Sequence, residues 1–333
     1  MDLELLDQTL AANAEPAFRA RQVWRWAANG VEGFQQMTNL PAALRQALAE
    51  QLAFSSLHLR EQRTASDGTI KALFATVDGR PLEAVLMRFR DGRRSICVSS
   101  QSGCPLTCTF CATGQMRFAR NLSASEILDQ ALHFRRLGPV DHCVFMGMGE
   151  PMLNLDNVLG ACERLPDIGI THRRTTISTV GWIPGIERLA ECEMPIRLAL
   201  SLHASSEELR SQLMPVNDRY PLSEVIEACR AFYARKRRRV FVEYVMLAGV
   251  NDRYEQALSL ARLLLGQEPS ASPIFKVNLI PYNPTDSVYE GSSRASIAAF
   301  RGALEARGVP VTVRLTRGRE IDAACGQLAA SAA

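Results

Sequence analysis

Three cysteines, Cys104, Cys108 and Cys111, stand within the run CPLTCTFC, a C-x3-C-x2-C spacing. A four-iron, four-sulfur cube takes four thiolates, so a loop that offers three leaves one iron open to a small ligand. S-adenosylmethionine suits that position because its amino and carboxylate groups chelate iron, and an electron from the cluster then splits its sulfonium to an adenosyl radical. The competing reading is a zinc knuckle, with Cys143 or a histidine completing a tetrahedron. That spacing is unusual for zinc, and the chain has no second C-x2-C or H-x3-H partner.

A second chemical segment, GMGEP at Gly147–Pro151, follows the apolar run VDHCVFM. Glycine lets backbone approach a ligand closely, and Glu150 is suited to meet an ammonium. A glycine-rich turn after a strand is commonly just a turn. Its position one strand-helix unit after the cysteine triplet favours a ligand role for Gly149 and Glu150.

These residues need a scaffold. From Ser95 onward, apolar runs alternate with helical patterns: SICVSS, VDHCVFMGM, TTISTVG, PIRLALSLH, RVFVEYVML and FKVNLIPYN are each followed by a plausible helix, and VTVRLTR closes the series. The rhythm predicts an α/β fold, a parallel sheet with outer helices forming a partial (βα)6-type barrel. A capping box, Ser123 to Glu126, opens the helix after the cysteine loop. The segments SSQSGC, GMGEP, STVG, SLHA and IPYNP all fall at strand C-termini, where the active sites of such folds lie. Ahead of the barrel (95–318), residues 1–50 read as a small helical accessory domain and residues 51–94 as a β-rich bridge with strands TIKALFATV and PLEAVLMRF. Residues 319–333 form a C-terminal tail whose last residues, AASAA, are expected to be loose.

Composition limits the function classes. The 333 residues are 47% hydrophobic, enough for a sizeable core, with no uninterrupted apolar run of about eighteen residues that would span a bilayer. The start, MDLELLDQTL, carries acids where a signal peptide carries basic residues, so a cytoplasmic protein is expected. Nine cysteines, an odd number, fit a secreted disulfide framework poorly. The net charge of +3 does not by itself announce a nucleic-acid partner. The run Arg235, Lys236, Arg237, Arg238 and Arg239 is suited either to RNA phosphates or to a helix C-terminus in solvent.

The cluster loop CPLTCTFCATGQ, the segment GMGEPMLN and the C-terminal RLTRGREIDAACGQLA together resemble the radical S-adenosylmethionine adenine methyltransferases of the RlmN/Cfr family. The resemblance is strongest from Glu83 to Leu328, and the first fifty residues resemble the family's accessory domain. It implies one 4Fe-4S cluster on Cys104, Cys108 and Cys111, and two molecules of S-adenosylmethionine per cycle. The first methylates Cys325, and the second supplies the radical that removes a hydrogen from that methyl. The resulting methylene radical adds to adenine, and release requires loss of the C2 proton and a disulfide between Cys325 and Cys97. Glu83 matches the family's proton acceptor, although a lone strand glutamate is commonly surface. Ser178, Ser201, Leu202, His203 and Asn283 match positions that contact S-adenosylmethionine in relatives.

The resemblance thus implies a methyltransferase acting at adenine C2 in large-subunit rRNA and in tRNA. It also implies a monomer fed by an electron donor such as a flavodoxin-type reductant. The SSQ, CATG and TRG motifs look more like this branch than like the C8-methylating, antibiotic-resistance branch. An alternative from another class is a non-catalytic RNA-binding module stabilised by zinc. Cys143, Cys162, Cys192 and Cys229 match no motif and are expected to pack.

Overall fold

In the computed structural model, residues 1–266 and 273–329 are described; Ala330–Ala333 of the expected loose tail lie outside the described residues. Three short helices open the chain: α1 (Leu3–Ala12), α2 (Phe18–Ala28) and α3 (Ala42–Gln51). Asp2 caps α1 by accepting from the Leu5 N–H. Leu6 and Leu10, Val23 and Ala27, and Leu44 and Leu48 recur four apart and are buried, which gives each helix one apolar face. The polar-aromatic break between α2 and α3 folds into a 3₁₀ turn that buries Phe34 and Met37.

The bridge is an antiparallel meander of β1 (Leu57–Thr64), β2 (Ile70–Thr76), β3 (Pro81–Arg88) and β4 (Arg94–Cys97). Strand β1 did not stand out in the sequence for a physical reason. It is the sheet edge, only Leu57 of LHLREQRT is buried, and a register shift between Leu59 and Glu61 breaks its alternation. Strand β4 also pairs in parallel with β7 (His142–Phe145), which makes it the seam between bridge and barrel. Beyond it β8 (Thr175–Thr179), β9 (Arg197–Ser201), β10 (Val240–Met246), β11 (Phe275–Pro281) and β12 (Val311–Val313) continue in sequential order, all parallel. Sequential parallel pairing with intervening helices is the expected partial barrel. A two-residue ribbon, β5 (Gln101–Ser102) with β6 (Arg120–Asn121), clasps the base of the cysteine loop.

The helices that matter most for the site are α4 (Ala112–Gln115), α5 (Ala124–Arg136) and α6 (Leu155–Ile168). The capping box at the start of α5 is present, with Ser123 and Glu126 bonded reciprocally. Asp129 of α5 joins three parts of the molecule, because its buried carboxylate pairs with the Met1 amino group and accepts from the Ser56 N–H and hydroxyl, both at 2.6 Å. One hydrophobic core runs through the helical domain, bridge and barrel. Among the described residues no helix is long and apolar enough to cross a membrane.

His133 packs α5 against the bridge, bonded to Gln62 at 2.9 Å and edge-on to Phe74 at 5.1 Å. Burial, helped by the nearby Arg136 charge, lowers its pKa from 6.5 to about 4. The folded state therefore binds fewer protons than the unfolded state between those values, so this contribution to stability is complete above pH 6.5 and lost as pH falls towards 4. The melting temperature of His133→Gln should fall less than that of the parent over this window; parallel curves in a pH series of thermal melts would contradict it.

Candidate active site

A cavity opens at the C-terminal ends of the parallel strands. Its lining includes Cys104, Cys108 and Cys111, Gly149 and Glu150, Ser178, Ser201, His203, Asn283 and Cys325. The cysteine loop is fixed at several points. The Ala119 N–H donates to the Ser102 carbonyl at 2.9 Å, the Thr109 N–H reaches the Leu213 carbonyl at 3.0 Å, and the Thr109 and Tyr289 hydroxyls lie 2.8 Å apart. Phe110 lies edge-on to His203, centroids 4.7 Å apart.

Gly147 and Gly149 are needed where they stand. A Cβ on Gly147 would sit 2.8 Å from the Val98 carbonyl, and Gly149 has φ +93° with the Gln101 side chain 2.5 Å from any added Cβ. This close approach delivers Glu150, whose N–H donates to Gln101 Oε1 at 2.8 Å. Its carboxylate accepts from the Met152 and Val180 N–H groups at 3.2 and 3.0 Å. Burial pushes the Glu150 pKa up to about 7, against the lowering effect of those bonds. An ammonium against it would restore the carboxylate.

His203 is buried in a left-handed conformation, φ 62°. Its Nδ1 accepts from the Val245 N–H at 3.1 Å, and burial lowers its pKa to about 3, so it stays neutral and unsuited to acid-base work. The Ser178 and Ser201 hydroxyls are 3.3 Å apart. Leu202 differs from its neighbours, since its side chain lies in the hydrophobic core and does not line the cavity.

Cys325 lines this cavity and also a second, larger chamber inside the barrel, where Cys97 lies. Both are free thiols, and Cys325 is reached by solvent because it projects into the space joining the two. Its segment is tied down by five hydrogen bonds. Asn283 Nδ2 donates to the Cys325 carbonyl at 3.1 Å, the Ala112 N–H to Gly326 at 2.9 Å, the Thr113 hydroxyl to Leu328 at 2.5 Å, and Gln327 Nε2 to Pro284 at 2.9 Å. The fifth joins the Ala329 N–H to Glu83 Oε2 at 3.1 Å. Glu83 is thus buried rather than solvated, 3% exposed, with Lys71 3.1 Å from Oε1, and it faces a separate polar cavity beside Ala112 and Gln327.

The first 53 residues match the family model for the ribosomal RNA large subunit methyltransferase N-terminal domain, and residues 98–261 match that of the radical SAM superfamily. A crystal structure titled as a radical SAM methyltransferase from Sphaerobacter thermophilus superposes with TM-score 0.92 at 42% identity, covering 99% of this chain and 98% of that one. A dual-specificity RNA methyltransferase RlmN from Anaeromyxobacter sp. is 43% identical, over 99% of this chain and 89% of its own length. A protein from Chloroflexus aurantiacus described as a probable dual-specificity RNA methyltransferase RlmN is 47% identical, over 98% of this chain and 91% of its own. The chain belongs to the RlmN family.

Radical SAM proteins use a 4Fe-4S cluster and S-adenosylmethionine. The RlmN-family cavity fits both. Cys104, Cys108 and Cys111 all line the cavity, with Cys108 close enough to the other two to feel their charge. The glycine turn packs its backbone directly against Val98 and Gln101 at the cavity wall, and Glu150 supplies a buried anion beside it. Burial raises all three thiols above their ordinary range, so a strongly binding cationic centre is what would hold them as thiolates.

Three functional neighbours escaped the sequence. Glu243 is buried in mid-strand and lines both cavities; it accepts from Asn278 at 2.8 Å and Arg314 at 3.1 Å. Arg314 stands close enough to both Cys97 and Cys325 to oppose the rise in their pKa. Arg210 is fully buried behind Cys108, held by Asn217 at 2.7 Å and by the Val180 carbonyl. The only hint was that an acid interrupted the apolar alternation of VFVEYVM, and nothing marked the two arginines.

Anaerobically purified protein should be brown with about four irons, and Cys108→Ala should lose most of them. A colourless protein with one zinc would eliminate the cluster. Glu150→Gln should keep its iron yet bind S-adenosylmethionine at least about tenfold more weakly by calorimetry, because a charge-assisted bond becomes a neutral one; undiminished affinity would remove Glu150 from the ammonium site.

Proposed function

We propose that this chain methylates C2 of adenosine in large-subunit ribosomal RNA, at the peptidyl-transferase centre, and in transfer RNA next to the anticodon. The observation that carries the reading is the position of Cys325, a thiol that faces the cluster cavity on one side and the chamber holding Cys97 on the other. The dual-specificity description of RlmN relatives supports two RNA classes and favours C2 over the C8 branch.

When bound, the cluster and S-adenosylmethionine supply the one-electron chemistry that an electron-poor carbon such as adenine C2 requires. Cys104, Cys108 and Cys111 hold the cluster, while Gly149, Glu150, Ser178, Ser201, the Leu202–His203 backbone and Asn283 hold S-adenosylmethionine. Cys325 carries the methyl group. Although solvent reaches it, the protein walls around it, with Glu243 beside it, raise its thiol, so at neutral pH it rests protonated. Arg314 favours the thiolate, and the positive charge that S-adenosylmethionine would supply when bound would act in the same sense. Cys97, also raised to about 12 chiefly by burial, is the partner that takes up the Cys325 sulfur on release.

Glu83 is the acceptor of the C2 proton. It lines a cavity separate from the two that Cys325 lines, with the tail residue Ala329 bonded to its Oε2, so a shift of the tail opens the path for the proton. One chain contributes every residue named, so a monomer suffices. An external donor of flavodoxin type supplies the electron, in the cytoplasm where the RNA resides.

With reconstituted enzyme and ribosomal RNA, mass spectrometry should detect 2-methyladenosine. Cys325→Ala should abolish the product, and Cys97→Ala should accumulate a covalent protein-RNA adduct on denaturing gels. Multiple turnover by Cys97→Ala at the parent rate would refute the resolving role, and methylation at C8 would replace the C2 assignment.

A further inference from the structure

The barrel chamber has two different ends. Its inner end, at Met146, Glu243, Ile280, Asn283 and Cys325, is shared with the cluster cavity. Its other end lies at the first residues of the parallel strands and is strongly basic: Arg174 directly precedes β8, Arg197 opens β9, and Lys276 is the second residue of β11. Arg238 lies two residues before β10, close enough to Arg173 and Arg197 that, with burial, their charges hold it below the ordinary arginine range. Arg174, Arg197, Arg238 and Lys276 make no salt bridge among the described residues, and the one carboxylate in the chamber lining, Glu243, lies at the inner end paired with Arg314.

Aromatic rings alternate with these cations. Arg197 lies over the Phe241 ring at 5.9 Å, and Arg93 and Arg317 lie over Phe89 at 4.0 and 5.1 Å. Both rings are only half-buried and line the same opening. Asp141, just before β7, lies within electrostatic reach of Arg174 and is bonded to His142, so the positive charges outnumber the one acid at this end. An excess of like charge around a concave mouth attracts a polyanion, and arginine-backed aromatic faces offer stacking sites for bases that are not paired. A closed RNA helix does not expose its base faces; a loop nucleotide turned out of its stack does.

We propose that single-stranded RNA docks at this N-terminal mouth of the barrel, with phosphates on Arg174, Arg197 and Lys276 and a flanking base on Phe241, so that the target adenine enters the chamber from the end opposite the cluster. The inference rests on the RNA methyltransferase reading and adds to it a direction of approach. The two reactants then meet at Cys325 from opposite ends, and RNA does not pass the cysteine loop. The run Arg235–Arg239 contributes through its last members, which lead into β10, rather than through its helical part.

The test uses the cluster-loaded full chain and a fluorescein-labelled RNA hairpin with an unpaired loop adenosine, followed by anisotropy across a salt series. The combined Arg174→Gln, Arg197→Gln, Lys276→Gln variant should bind at least about tenfold more weakly at low salt. Its slope of log affinity against log salt should be shallower by about two, from about 0.7 per single-strand phosphate contact. Phe241→Ala should lose about tenfold at low and high salt alike, as expected for stacking. Iron content and S-adenosylmethionine affinity should match the parent in both. If the parent binds the hairpin and the charge variant binds equally, with the same slope, the mouth is not the docking site although the RNA reading stands. If the parent fails to bind any such hairpin, both fall. Should the charge variant misfold, a 4-thiouridine next to the loop adenosine decides with the parent protein: crosslinks in the peptides around Arg174, Arg197 or Phe241 support the mouth, and crosslinks confined to residues 104–120 overturn it.

Discussion

The geometry of this site depends on a short strap of hydrogen bonds that holds residues 325–329 across the barrel. Its anchors come from three places: Asn283 and Pro284 after β11, Ala112 and Thr113 after the last cysteine of the triplet, and Glu83 in the bridge. Without it Cys325 would belong to a tail with no strand or long helix of its own. Five bonds worth about 1 kcal/mol each net are enough to favour one position and few enough to be exchanged when a substrate arrives. The strap also couples the parts, because the loop that carries the cluster ligands is the loop that holds Gly326 and Leu328.

Electrostatics give the same segment its restraint. Cys97 is kept as a neutral thiol chiefly by burial, and Cys325, which solvent reaches, by the walls around it and the Glu243 charge, although both have Arg314 nearby. A thiolate is the reactive form towards alkylation and disulfide exchange, so a pair held protonated is protected while the site is empty of cations. The guanidinium is itself partly neutralised by Glu243, which limits how far it can activate either sulfur.

The barrel was legible because its strands are apolar runs separated by helical patterns, and the cluster loop because three cysteines at fixed spacing have few alternative uses. The capping box of Ser123 and Glu126 could be read from four residues because its contacts are local. Long-range burial left no such trace. Glu83 and Arg210 look like surface residues in any window, and only the assembled fold surrounds them with Lys71 and Ala329, or with Asn217 and Val180. Leu202 shows the reverse case: it stands just past the end of β9 between two cavity-lining residues, and its side chain lies in the core. Strand β1 was hidden because an edge strand with a polar outer face carries little periodic signal.

The position of Cys97 on β4 has a mechanical meaning. That strand is hydrogen-bonded antiparallel to β3 on one side and parallel to β7 on the other, and so lies inside a ten-stranded sheet. In the proposed cycle the two sulfurs are therefore unequally held: one sits on a strand paired on both sides and the other on a tail secured by single hydrogen bonds. A bond between them would act as a tether that draws the tail back to its starting register, so that closing the chemical cycle would also reset the machine.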